Sequence, residues 1–233
     1  MAASRLAIVA AMHEELAAVL ALMPDESRQS AAGREFWVGH LHGHEVVAVL
    51  SRIGKVAAAT TAAVLLERFG VGRIVFTGVA GGLGPGVEVG HVVVADRFLQ
   101  HDLDASPIFP KYEVPLYGTS QFRADAALSD RLAAAAARAL PGTPVHRGLI
   151  VSGDRFVSTT GESRALQSAL PQALAVEMEG AAIAQVCHDY GIPFAAVRTI
   201  SDRADDEAHV DFARFVSEVA SRHSAAIVQA LLA

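Results

Sequence analysis

Apolar residues in this chain fall into two patterns that take turns along its length. Compact apolar runs at Arg5 to Ala11, Arg73 to Thr77, His91 to Ala95, His146 to Val151, Leu174 to Glu179 and Phe194 to Asp202 read as strands buried on both faces. Stretches with helical spacing lie between them, at about Glu14 to Leu22, from Ser51-Lys55 to near Phe69-Gly70, Ala124 to Leu140, Glu162 to Leu170, Gly180 to Tyr190 and Val210 to Leu232, the last with Asp211 in its first turn. Phe36 to Leu41 and Glu45 to Leu50 flank His42-Gly43-His44, a hairpin signature. Strand alternating with helix, broken by one hairpin, predicts an α/β fold: a single domain with a mixed, mostly parallel central sheet flanked by helices.

The segment Leu174 to Asp202 is the most informative. Gly180 to Tyr190 has the apolar stripe Ala181, Ala182, Ile183, Val186 and Cys187 and a stop at Gly191, so it predicts a crossover helix between two parallel strands. Glu179 closes the first strand and Asp202 the second. Ligands of open α/β sheets bind outside the carboxyl ends of the strands, so both carboxylates are expected at one site. Asp202 ends an apolar strand behind Ser201, where desolvation would raise its pKa toward that of a general acid working near neutrality. The charges that follow, Arg203, Asp205, Asp206 and Glu207, read as a solvated loop.

Other candidates carry two readings each. Glu14 and Glu15 start a helix, where carboxylates complement the helix dipole, yet they also lie at the carboxyl end of their strand, on the expected ligand edge. The glycines from Gly78 to Gly86 are followed by no Gly-Lys-Ser/Thr and lead into a strand, which excludes a P-loop and a dinucleotide fingerprint. They permit close approach of backbone to a ligand, or simply a turn. Ser152 to Phe156 follows a strand onto the same edge; Phe156 is either a core plug or a platform for a flat ring, with Asp154 and Arg155 an ordinary solvated pair in the first case. His188 and His209 read as surface residues and Cys187 as a small core hydrophobe. Ala105 to Phe122, with its prolines and little periodicity, predicts a long loop.

Composition narrows the classes. The chain has 233 residues, 52% of them hydrophobic, and a mean hydropathy of +0.34, with the excess in helical alanine. That suits one α/β domain, residues 1–233, with an alanine-lined core or a buried subunit face. A net charge of −6 without long basic runs argues against nucleic acid as partner. The longest apolar run, Val56 to Leu66, is too short for a membrane span, so no membrane partner is expected. Leu6 to Met12 resembles a short signal core but is followed at once by His13-Glu14-Glu15, and reads as the first strand of a cytoplasmic protein. One cysteine excludes an intrachain disulfide, and no Cys or His pair has zinc-ligand spacing.

Seven blocks together carry a family resemblance. They are Ala11 to Glu15, Ile53 to Ala58, Thr77 to Gly82, His101 to Asp104, Gly148 to Asp154, Val176 to Glu179 and Ile200 to Asp202. In order and spacing the chain resembles the 5′-methylthioadenosine/S-adenosylhomocysteine nucleosidases, of the purine nucleoside phosphorylase superfamily. The resemblance implies hydrolysis of an adenine N-ribosidic bond without metal or organic cofactor, in a homodimer whose 105–122 loop contributes to the neighbouring site. It implies that Asp202 protonates adenine N7, Glu15 activates water, and Glu179 holds the ribose hydroxyls. Ser201 and Arg198 would support Asp202 and Glu179. Phe156 would stack on adenine and the Val157 backbone pair with its edge, while Met12, Ile53, Met178 and Phe212 line the ribose and 5′-substituent and Gly81 borders the substrate. Val79 stands where relatives often carry serine, and Ile108 where an aromatic is common. The choice among methylthioadenosine, S-adenosylhomocysteine, 5′-deoxyadenosine and an aminofutalosine stays open. The rival readings are a phosphate-dependent phosphorylase and a non-catalytic nucleoside sensor.

Overall fold

In the computed structural model, which describes residues 5–215 and 219–233, the strand patterns become one mixed sheet. The chain opens with β1 (Arg5–Ala10), α1 (His13–Leu20), β2 (Ser27–Ala31), β3 (Arg34–Leu41), β4 (His44–Leu50) and α2 (Lys55–Phe69). It continues with β5 (Val71–Gly82), β6 (Val92–Gln100), β7 (Phe122–Arg123), α3 (Ala126–Ala139), β8 (Val145–Ser152) and α4 (Thr160–Ala169). It closes with β9 (Ala173–Glu177), α5 (Gly180–Tyr190), β10 (Phe194–Asp202), α6 (Ala208–Phe215) and α7 (Ser221–Leu232). The helix expected over 210–232 thus corresponds to α6 and α7; residues 216–218 and the Asp211 side chain lie outside the described residues.

Strand periodicity builds two apolar layers. Ala7 and Val9 of β1, Val47 and Val49 of β4, and Ile74 and Phe76 of β5 face α2 and α5. Their alternates Leu6, Ile8, Val46, Ala48 and Val75 face α1, α3 and α7. Each large aliphatic side chain fully buried there contributes roughly 1.5–3 kcal/mol. Alanine at Ala181, Ala182 and Ala184 lets α5 pack closely on the sheet, and Gly191 ends it in the left-handed conformation at φ 64°. The His42-Gly43 turn has positive φ at both residues, as a two-residue hairpin requires.

Parallel ladders join β1 with β4 and β5, β10 with β5, β6 with β8, and β8 with β9. Because β10 pairs with both β5 and β6, the strands β5, β9, β8, β6 and β10 close into a barrel, from which β1, β4, β3 and β2 extend as an open wing.

Two expectations fail here. The glycine segment is not a turn after Thr77: β5 runs on to Gly82, held by β10 on one side and by β9 at its end. Pairing on both edges outweighs the low strand propensity of glycine. And the strands before and after α5 are not parallel to each other, since β10 runs parallel to β5 while β9 runs antiparallel to it. Among the described residues no helix is long and apolar enough to cross a membrane.

Candidate active site

The floor of the site is β5, and its glycines decide what stands on it. At Gly78 an added Cβ would lie 2.6 Å from Arg198 Nη1 and 3.1 Å from Glu15 Oε1. At Gly81 it would lie 2.9 Å from Asp202 Oδ1 and 3.1 Å from the Ala204 methyl. Only a residue without a side chain lets these groups rest on the strand. Parallel register sets Arg198 level with Gly78, and Asp202 level with Gly81. Antiparallel β9 pairs Val176 with Gly81, so continuing past Glu177 it returns toward Gly78 and delivers Glu179 to the Arg198 end. The two carboxylates therefore meet one site because opposed strands bring them in from opposite directions.

A cavity of about 490 Å³ covers this floor. Its lining includes Glu15, Glu179 and Asp202, together with Met12, Ile53, Gly81, Phe156, Met178, Arg198, Ser201 and Phe212, so the structure brings together every site residue expected from the sequence but one. Val157 lies instead in a small adjoining recess shared with Phe156, Gly81 and Asp202. Phe156 is 40% exposed and meets Phe212 edge to face, with ring centroids 5.5 Å apart, so it is not a core plug.

Glu15 sits in the first turn of α1, completely buried. Its Oε2 accepts from the Met12 N–H at 3.2 Å, a reciprocal cap, while Oε1 accepts no hydrogen bond from a described residue. Burial raises its pKa from the ordinary 4.5 to about 7, against the opposing pull of Arg198 and of the Met12 and Ala11 amides. Glu179 precedes α5, and its Oε1 accepts from the Gly54 N–H at 2.8 Å. Burial and then the neighbouring charge of Glu177 raise its pKa as well. Asp202 is 1% exposed; Oδ2 accepts from Ser201 Oγ and Oδ1 from the Ala204 N–H, both at 2.8 Å.

Arg198 corrects one expectation. Its guanidinium pairs with Glu177 at 2.5 Å, not with Glu179, although its charge lowers the Glu179 pKa. It also lies 3.6 Å from the centroid of the Phe76 ring. Glu177 accepts in addition from Ser152 Oγ and from the Gly180 N–H at 2.9 Å, so a fully desolvated ion pair is tied into the wall. The residue was overlooked in the sequence, although Glu177 and Glu179 sit two apart and share a face of an extended chain. His209, read as a surface residue, is exposed and also lines the cavity. Asp154 and Arg155 are not a solvated pair: Arg155 pairs with Glu162, and Asp154 accepts from the Lys55 N–H.

Known proteins share this architecture. Residues 5–233 match the family model of the phosphorylase superfamily. The structure of 5′-methylthioadenosine/S-adenosylhomocysteine nucleosidase from Neisseria meningitidis, in complex with methylthio-immucillin-A, superimposes with a TM-score of 0.93 at 36% identity over 98% of both chains. The Streptococcus pneumoniae nucleosidase with a transition-state inhibitor gives 0.89 at 36% identity, again over 98% of each chain. Futalosine hydrolase of Helicobacter pylori gives 0.90 at 33% identity, over 98% of this chain and 97% of that one. With the motif blocks and the carboxylate-lined cavity in place, this chain belongs to the phosphorylase superfamily and, within it, to the 5′-methylthioadenosine/S-adenosylhomocysteine nucleosidases.

Proposed function

We propose that the protein hydrolyses the N-ribosidic bond of 5′-methylthioadenosine and S-adenosylhomocysteine, releasing adenine and a 5-thio-substituted ribose. One observation carries this reading: Asp202 and Glu15 stand on the floor of a single cavity at Gly81 and Gly78, three residues and so about 10 Å apart along β5. That span accommodates a nucleoside with its base at one acid and its sugar at the other. Asp202 gives its proton to adenine N7, so the C1′–N9 bond breaks with its electrons leaving on a neutral base. The ribose becomes cationic as the bond stretches, and Glu179 and Glu15 stabilise that charge while Glu179 holds the hydroxyls. Water adds to C1′ and surrenders a proton to Glu15, whose Oε1 has its acceptor capacity to spare. A carboxylate with a pKa near 7 is a far better base than an exposed glutamate.

Phe156 stacks on the adenine, with the Val157 backbone at its edge. The apolar side chains of Met12, Ile53, Met178 and Phe212 suit a thioether substituent. Ile53, Val56, Ile108 and Leu116 are large apolar residues exposed on the chain, which supports a homodimer whose 105–122 loop completes the neighbouring pocket. We place this dimer in the cytoplasm.

Product analysis in phosphate-free buffer tests the reaction, with methylthioadenosine, S-adenosylhomocysteine, 5′-deoxyadenosine and an aminofutalosine side by side. Adenine and free thioribose are expected from the first two. Release that requires added phosphate would make the enzyme a phosphorylase, and binding without release would make it a sensor. Asp202→Asn should lower kcat at least 100-fold while leaving nucleoside affinity within a fewfold.

A further inference from the structure

The first amides of α2 have no cap of their own. The residue at its start is Gly54, with φ 97° and no side chain to accept from the helix. Two carboxylates from distant loops take the place of a cap: Glu179 Oε1 accepts from the Gly54 N–H at 2.8 Å, and Asp154 Oδ1 from the Lys55 N–H at 2.7 Å. Asp154 is itself anchored, because its N–H donates to Asp102 Oδ2 at 2.9 Å. Asp102 Oδ1 accepts from Lys55 Nζ at 2.6 Å, which closes a ring through Lys55, Asp154 and Asp102. The lysine side chain is 17% exposed, and its Nζ also donates to Gln100 Oε1 at 3.1 Å. Burial alone would raise the Asp102 pKa, yet the donors from Lys55 and Asp154 hold it below the usual carboxylate range.

This ring lies outside the cavity lining, yet two of its three members stand close to it in the chain. Ile53 is two residues before Lys55, Phe156 is two residues after Asp154, and Glu179 takes the amide next to the one Asp154 takes. An added Cβ on Gly54 would meet Asp154 Oδ1 at 3.1 Å, so the fit leaves little room for the peptide to turn. We propose that Asp154, capping α2 from a distant loop of the same chain and locked by Asp102 and Lys55, is a positioning residue that orients the Gly54 amide and through it fixes Glu179 for the ribose hydroxyls. The inference rests on the nucleosidase reading of the same cavity. With the ring broken, Glu179 keeps its place in the sequence but loses its aimed donor, and its grip on the sugar weakens.

The test compares methylthioadenosine with its 2′-deoxy and 3′-deoxy counterparts, using the full-length wild type, Asp154→Ala and Asp154→Asn. Wild type should prefer the hydroxylated substrate in kcat/KM. Asp154→Ala should lose about 30-fold on that substrate and less than about threefold on at least one deoxy analogue, so that the preference collapses. Asp154→Asn, which still offers an oxygen to the Lys55 amide, should recover most of it. A general structural lesion would lower all substrates together, and that result overturns the proposal, as does an unchanged preference in Asp154→Ala. If Asp154→Ala does not fold, Lys55→Met opens the same ring from its other side and must show the same collapse. Wild type that releases no adenine from methylthioadenosine would refute the nucleosidase reading itself, whereas active wild type with no collapse refutes only the role of Asp154.

Discussion

A buried carboxyl group costs stability when it ionises, and Glu15 is the clearest case. Its folded pKa of about 7 exceeds the ordinary 4.5, so the unfolded chain releases this proton at lower pH than the folded chain. Native stability must therefore decline as pH rises from about 4.5 to 7, by roughly 3 kcal/mol in total for this one group. Glu15→Gln removes the penalty and keeps an oxygen for the Met12 amide. The variant should melt with the wild type near pH 4.5 and roughly 5–10 °C above it at pH 8, as read by scanning calorimetry. An equal difference at both pH values would contradict the assigned titration. In kcat/KM the same group should produce an acid limb near pH 7 in the wild type, below which the base is protonated, and the variant should lose turnover by at least 100-fold.

At the scale of elements, β5 is a strand whose sequence argues against being one, and its glycines serve the groups stacked on it. Gly81→Ala would push a methyl group against Asp202 Oδ1 and the Ala204 Cβ, at the tight turn where β10 ends. We expect kcat to fall at least tenfold with a stability loss of about 1–3 kcal/mol, measured by turnover and urea unfolding. Gly161→Ala is the matched control. It lies in the first turn of α4 with nothing within 4 Å of an added Cβ, so it should be neutral or slightly stabilising. Elements differed in how plainly the sequence announced them. Gly180 to Tyr190 was legible to the residue because an apolar stripe ends at a glycine stop. The edge strand β2 was not, because four of its five side chains face solvent and no alternation marks it.

For the molecule as a whole, the exposed apolar side chains of the 105–122 segment are the unfinished surface. Ile108 is 82% exposed and Leu116 91%, in a segment that pairs through a bridge between Val114 and Thr119 before it enters β7 at Phe122. If this loop docks on a second copy, Ile108→Asp combined with Leu116→Asp should shift the protein from dimer to monomer in sedimentation analysis. Turnover should fall with it, because the neighbouring pocket would lose a wall. A double variant that stays dimeric would move the interface elsewhere.

Periodicity, caps and turn residues are local properties, and from them the sequence by itself determined the alternation of strand and helix, the hairpin, the helix α5 with its glycine stop, and the acids Asp202 at the end of a strand and Glu179 just beyond one. The motif blocks added the family, because their order survives without knowledge of contacts. Only the tertiary structure decided how those acids meet. Whether β9 lies parallel or antiparallel to β10 depends on which strand wins the free edge of β5, a competition among distant segments that no local pattern records. The same holds for the partner of Arg198: two glutamates stand two residues apart, and packing against Ser152 and the start of α5 assigns the guanidinium to Glu177. Glu179 is thereby left to the Gly54 amide and the cavity, a division of labour set by three-dimensional placement and desolvation.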